Sequence, residues 1–179
     1  HFRKLKNAFA HFRPLICYSL KANSSLAIAK ILVNQGAGLD IVSGGELFKA
    51  LRIGIDPQKI VYASVGKTEI EIVKAIKAGI LFFNAESVSE LRTINRIAGS
   101  LNRKARVAIR INPDIEPRTH KYITTGKITN KFGIDLKTAE SILLRCMSYP
   151  NVDIKGLHLH IGSQITESTP YVAAITKIT

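Results

Sequence analysis

The 179-residue sequence predicts an α/β fold: an incomplete (β/α)8 barrel of the TIM type, holding about six of its eight β/α units. Three observations predict it. Short aliphatic runs alternate strictly with runs of helical period, which calls for parallel strands joined by crossover helices. No glycine fingerprint of the dinucleotide-binding kind follows the first strand, which favours a barrel over a doubly wound sheet. Charged and imidazole side chains fall on one face at the predicted strand ends, the rim where barrel active sites lie.

The elements follow in order. His1 to Arg13 reads as one basic amphipathic helix ending before Pro14. Leu15–Lys21 is the first strand, and Ser24-Ser25 cap a helix over Leu26–Asn34 that stops at Gly36. Leu39–Val42 is the second strand, after which Gly44-Gly45 open a helix over Glu46–Arg52 closed by Gly54. Lys59–Ala63 is the third strand, and the helix Thr68–Ala78 stops at Gly79. Ile80–Asn84 and Arg106–Ile111 are the fourth and fifth strands, flanking a helix over Ser87–Ile97. A long polar loop then runs to Lys131, followed by helix Asp135–Met147, strand Ile154–Ile161 and helix Glu167–Thr179. No linker divides the chain, so residues 1–179 form a single partial domain.

An apolar content of 46% and a charged content of 22% belong to a globular protein and not to a disordered one. No apolar run reaches the roughly 20 residues that span a bilayer, so no membrane partner is expected. Cys17 and Cys146 lie far apart on apolar segments and read as reduced thiols, and with no signal peptide the expected location is cytoplasmic. The net charge of +13 raises the question of nucleic acid. The basic residues are scattered and no stacking aromatics interleave with them, so no nucleic acid is expected. The charge fits a basic segment of a longer protein.

The strand ends carry the chemistry. Period-two alternation puts Tyr18 and Leu20 on one face of the first strand and Cys17, Ser19 and Lys21 on the other. A lysine ending an apolar strand and pointing inward is costly to keep charged, and a lysine so placed is a nucleophile suited to Schiff-base chemistry. A lysine snorkelling to solvent satisfies the same pattern. Asp40 shares its face with Gly38 and Val42, and Arg110 and Asn112 share the face opposite Val107, Ile109 and Ile111. His158 and His160 point inward while Leu157, Leu159 and Ile161 face the helices. Asp40 and Arg110 are equally readable as an ion pair closing the rim, Glu86 as a brace for other rim groups, and His158 as a core group. His158-Leu159-His160 has metal-ligand spacing, but a zinc site needs three or four ligands and no further motif supplies them; no metal is expected.

Taken together, the motifs resemble a known family. Tyr18–Asn23 resembles the cofactor-lysine motif of the fold-type III pyridoxal-phosphate decarboxylases, and Gly36 to Leu47 resembles their second strand and its turn. Arg110-Ile111-Asn112-Pro113-Asp114, His120 to Gly126, Asn130 to Ile134 and Gly156 to Gln164 resemble the branch that acts on diaminopimelate. The likeness runs from about Lys6 to the end of the chain.

That resemblance implies a barrel of the alanine-racemase-like kind and pyridoxal 5'-phosphate as cofactor. It implies Lys21 as the lysine that carries the cofactor, His160 stacked on the pyridine ring and Ser163 on the phosphate. Asp40 would lie near the Schiff base and Arg110 in the cofactor pocket. The implied reaction is decarboxylation of meso-diaminopimelate to L-lysine and CO2, with Lys21 and His160 catalytic. Complete members are homodimers and carry, further on, a glycine-rich phosphate loop, an acidic partner for the ring nitrogen and a C-terminal β-domain. None of these is found here, so the chain is expected to be an N-terminal piece, inactive alone. The alternatives are a non-catalytic pyridoxal-phosphate-binding barrel and an ornithine- or arginine-type decarboxylase.

Overall fold

The computed structural model describes residues 1–113, 132–163 and 165–178. Seven strands form one parallel sheet: β1 (Cys17–Ser19), β2 (Gly38–Ile41), β3 (Ile60–Ala63), β4 (Phe82–Ala85), β5 (Ala105–Asn112), β6 (Ile134–Asp135) and β7 (Val152–Leu159). They are ordered β1-β2-β3-β4-β5-β6, with β7 also paired to β5. Ile111 is in register with both Ile134 and Leu159, so β6 and β7 lie on opposite sides of β5. Six strands are predicted from sequence; the two-residue β6 is additional. It exists because Gly133, at φ 92°, lets the chain pass against the β5 backbone, where a Cβ would stand 3.1 Å from the Asn112 nitrogen.

Between the strands run α2 (Leu26–Asn34), α3 (Gly44–Arg52), α4 (Glu69–Ala78), α5 (Val88–Ser100) and α6 (Leu136–Leu144), with α7 (Thr169–Ile178) at the end. The core lies between these helices and one face of the sheet. Leu39 and Ile41, Ile60 and Tyr62, Phe83 and Ala85, and Val107, Ile109 and Ile111 meet Ala29, Leu47, Ile72, Leu91, Ile94 and Ile142. Each buried aliphatic chain of this size contributes about 1.5–3 kcal/mol. The other face of the same strands carries Asp40, Val61, Asn84, Ala108 and Arg110, which line a cavity.

The N-terminal segment forms α1 (Phe2–Ala8) and then a short 3-10 turn over Ala10–Phe12 rather than one helix. Nothing on α1 is buried to hold a longer helix together. Arg13 precedes a proline, which disfavours right-handed helical backbone, and it sits at φ 48°. Leu157 also departs from expectation. It is 39% exposed and lines the cavity, whereas Ile161 is buried. Among the described residues β7 has a neighbour on one side only, and its ladder with β5 shifts register between Val107 and Ala108, so the helix-side cover reaches only part of the strand.

β1 and β2 approach closely at Gly38. A Cβ there would lie 2.6 Å from the Lys59 carbonyl oxygen and 2.7 Å from Cys17 Sγ. Gly38→Ala is therefore expected to push the strands apart and cost about 1–3 kcal/mol, read as a lower urea midpoint for the intact gene product. An unchanged midpoint would contradict the contact.

Candidate functional site

The strand ends open onto one cavity of about 670 Å³, whose lining includes Lys21, Asp40, Glu86, Arg110, His158 and His160. Lys21, Asp40, Arg110 and His160 are thus brought together as the strand register predicts. Ser163 is not in that lining; it is exposed and follows Gly162 at φ 144°. Asp114, His120 to Gly126, Asn130, Lys131 and Gln164 lie outside the described residues.

Lys21 sits in the turn after β1, not on the strand itself, and is exposed. Local bonds set that turn. The Leu20 N–H donates to the Asp40 carbonyl at 3.0 Å, Tyr18 Oη donates to the Asn23 carbonyl at 3.0 Å, and Asn23 Oδ1 accepts from the Ser25 N–H at 3.0 Å. Leu20 beside it is buried at 1% exposure, which anchors the backbone that presents the lysine. Asp40, half-buried in β2, has its carboxyl pushed up by burial, with the charges of Lys21 and His160 opposing the rise.

Arg110 does not pair with Asp40. Its guanidinium is bound by the Glu86 carboxylate and stands 5.7 Å over the Phe132 ring. The reading of Glu86 as a brace holds, and the Asp40–Arg110 ion pair is corrected. Glu86 directly follows β4, the strand next to β5, whereas Asp40 stands three strands away on β2, so the shorter reach wins.

Behind Glu86 lies Lys67, whose Gly66-Lys67 pair also resembles many members of the family but to which the sequence assigns no role. The side chain of Lys67, between β3 and α4, has no exposed surface. Its Nζ donates to the Ser64 and Asn84 carbonyls, each at 2.8 Å, and pairs with Glu90 Oε1 at 2.5 Å. Glu90 Oε2 accepts from the Glu86 N–H at 2.9 Å. Ser87-x-x-Glu90 is the signal that was available: a capping pattern whose carboxylate turns back to the strand end.

The two histidines differ in burial. The His160 imidazole is exposed, yet burial and the Arg110 and Lys21 charges lower its pKa. His158, in register with Arg110, is pushed down to about 4 by burial and then by the Arg110 charge. Among the described residues its Nδ1 has no hydrogen-bond partner, and neither has Asn84 Oδ1. No group of three or more His, Cys, Asp or Glu side chains is placed among them to hold a metal ion.

An amine, two carboxylates, a guanidinium and two imidazoles facing one cavity at the C-terminal ends of parallel strands is the build of a β/α-barrel active site. The chain belongs to the pyridoxal-dependent decarboxylases: the family described as "Pyridoxal-dependent decarboxylase, pyridoxal binding domain" matches residues 1–179. A curated relative, diaminopimelate decarboxylase of Aquifex aeolicus, is 51% identical over 179 residues, covering 97% of this chain and 43% of that protein. The structure of diaminopimelate decarboxylase from Helicobacter pylori complexed with L-lysine aligns with a TM-score of 0.86 at 44% identity, covering 99% of this chain and 47% of that one. The enzyme from M. jannaschii aligns with a TM-score of 0.87 at 38% identity, over 99% and 43%. The chain thus spans less than half the length of these relatives. No helix among the described residues is long and apolar enough to cross a membrane.

The buried imidazole has a pH consequence. Unfolded, His158 titrates near its ordinary 6.5; folded, it titrates at about 4. Between those values the unfolded chain binds a proton that the folded chain does not, so stability falls as pH drops through the window. The full effect is on the order of 3 kcal/mol. His158→Asn is expected to flatten this slope in urea denaturation of the intact gene product between about pH 7 and about pH 4. A slope that persists would place the acid sensitivity at another group.

Proposed function

We propose that this chain is the cofactor-binding barrel segment of a diaminopimelate decarboxylase. The intact protein would remove the α-carboxylate of meso-diaminopimelate as CO2, leaving L-lysine. The observation that supports this most is the convergence of Lys21, Asp40, Arg110 and His160 on one cavity, in a chain whose whole length matches the pyridoxal-binding domain family. The other decarboxylase readings have no separate observation in their favour.

The residues present fit pyridoxal 5'-phosphate. Lys21 offers an amine for its aldehyde, Arg110 a cation for its negative charge, and the His160 ring a flat face. Val42, Val61, Ala63 and Ala108 offer apolar wall, and two unpartnered polar atoms, His158 Nδ1 and Asn84 Oδ1, stand beside that wall. When bound, that group supplies the electron sink that decarboxylation needs.

In this reading Lys21 would be the residue that holds the cofactor, and its amine could move protons at the reacting carbon. Asp40 holds negative charge beside Lys21. Glu86 fixes the Arg110 guanidinium in the cavity, and burial together with the Arg110 charge disfavours protonation of the nearby imidazoles. His160 serves as the ring partner. Ser163, exposed and outside the cavity lining, would serve as a hydrogen-bond donor to the phosphate. The remainder of the intact protein would supply the last strands, the glycine-rich loop, the acidic ring partner and a C-terminal β-domain, in a cytoplasmic homodimer.

Purified intact gene product is expected to show the visible absorbance band of lysine-bound cofactor and to release CO2 from meso-diaminopimelate. Lys21→Ala and Lys21→Arg should both lose band and turnover, since a guanidinium stays charged and does not attack the aldehyde. A band that survives in Lys21→Ala would move the cofactor to another lysine and sink the assignment.

Residues 1–179 expressed alone are expected to turn over diaminopimelate at least about a thousandfold more slowly than the intact protein, because unpaired strand edges and an unfinished cofactor site remain. Comparable turnover would overthrow the segment reading.

A further inference from the structure

We propose that Lys67 is a positioning residue for this cavity: through Glu90 and Glu86 it fixes the Arg110 guanidinium and leaves it free to face a bound anion. The proposal rests on the cofactor reading of Arg110 given above.

The geometry is a chain of four charges. Lys67 Nζ pairs with Glu90 Oε1 at 2.5 Å, Glu90 Oε2 takes the Glu86 N–H at 2.9 Å, and the Glu86 carboxylate binds Arg110. The first three members lie against the core. The Lys67 side chain has 0% exposure, that of Glu90 11% and that of Glu86 5%. Only Glu86 and Arg110 reach the cavity lining.

Burying an ammonium costs several kcal/mol unless every proton finds a partner. Lys67 meets that demand with two carbonyls and one carboxylate, and its ammonium also stands 5.7 Å over the Tyr62 ring. A stitch between two loops needs no charge; a neutral amide would tie the same carbonyl-bearing segments together. The charge is explained by what it balances. Two nearly buried carboxylates, Glu86 and Glu90, require two cations. With Lys67 on Glu90, Arg110 answers to Glu86 alone among the described carboxylates and keeps guanidinium donors for the cavity. Without Lys67, Glu90 loses its cation, the negative charge beside Glu86 goes unbalanced, and Arg110 is drawn back from the cavity toward it.

The test uses the intact gene product and reads pyridoxal 5'-phosphate affinity by titrating the visible band. Lys67→Met should weaken the affinity by about tenfold or more. Lys67→Met combined with Glu90→Gln removes one charge of each sign and keeps an oxygen for the Glu86 N–H. That double variant should bind within about threefold of wild type. A purely structural role for Lys67 predicts the opposite, a double variant no better than the single. Unchanged affinity in Lys67→Met, or no recovery in the double variant, overturns the proposal. Should Lys67→Met fail to fold, the double variant decides alone: affinity near wild type supports the charge balance, and a tenfold loss refutes it. A wild-type protein without the band strikes the cofactor reading itself, and this proposal falls with it. A wild-type band with an unmoved Lys67→Met affinity strikes only the role of Lys67.

Discussion

The cavity depends on helix-capping carboxylates, two of which do two jobs. Ser43, Thr68 and Ser87 cap α3, α4 and α5, and a glutamate three residues on turns back to accept a backbone N–H at the cap or just before it in each case. Glu46 takes the Val42 N–H at 2.7 Å, Glu71 takes the Thr68 N–H at 2.9 Å, and Glu90 takes the Glu86 N–H at 2.9 Å. A cap of this kind contributes about 1 kcal/mol, and a carboxylate in the first helical turn gains further from the helix dipole. The second oxygen then reaches the preceding β/α unit. Glu71 Oε1 accepts from the Gly44 N–H at 2.6 Å, and Glu90 Oε1 binds Lys67. One unit is thereby tied to the next along the rim, and the side chains that face the cavity inherit fixed positions.

Sheet register carries the fold, and register was readable because it is a matter of period. Leu20, Leu39, Ile41, Val107, Ile109 and Ile111 are buried as their alternation requires. Shifting any of these strands by one residue would put Asp40 or Arg110 into the apolar layer. What period could not disclose were features set by a single close approach. β6 has two residues and no pattern of its own; it follows from Gly133 sliding past β5. Leu157 obeys the alternation yet stays 39% exposed, because exposure there depends on which strand lies beside β7 and not on Leu157 itself.

The site divides along the same line. Lys21, Asp40, Arg110 and His160 were legible, since each is a polar residue within or just after an apolar strand, and the structure collects all four on one cavity. Their pairing was not. Asp40 and Arg110 look complementary in sequence, but Glu86 intercepts the guanidinium from the neighbouring strand. Lys67 was the least legible of all. It follows Gly66 in a loop and directly precedes a helix cap, a setting in which most lysines are solvated. Only the spatial neighbourhood, two carbonyls and a carboxylate with no water-facing surface, distinguishes it.

Charge placement around the cavity follows from these ties. Arg110 stands in register with His158, and both histidines have their protonated forms disfavoured by burial and by that guanidinium. Positive charge in the cavity at neutral pH is therefore concentrated on lysine and arginine, whose positions are fixed by the β1 turn and by Glu86. Imidazoles that stay neutral keep a lone pair and present a flat face, while one carboxylate, Asp40, remains beside the lysine. A cavity with cations and neutral rings at different addresses can take an anionic, planar ligand without collapsing onto its own counter-charges. That separation, more than any single residue, is what the capped strand ends make possible.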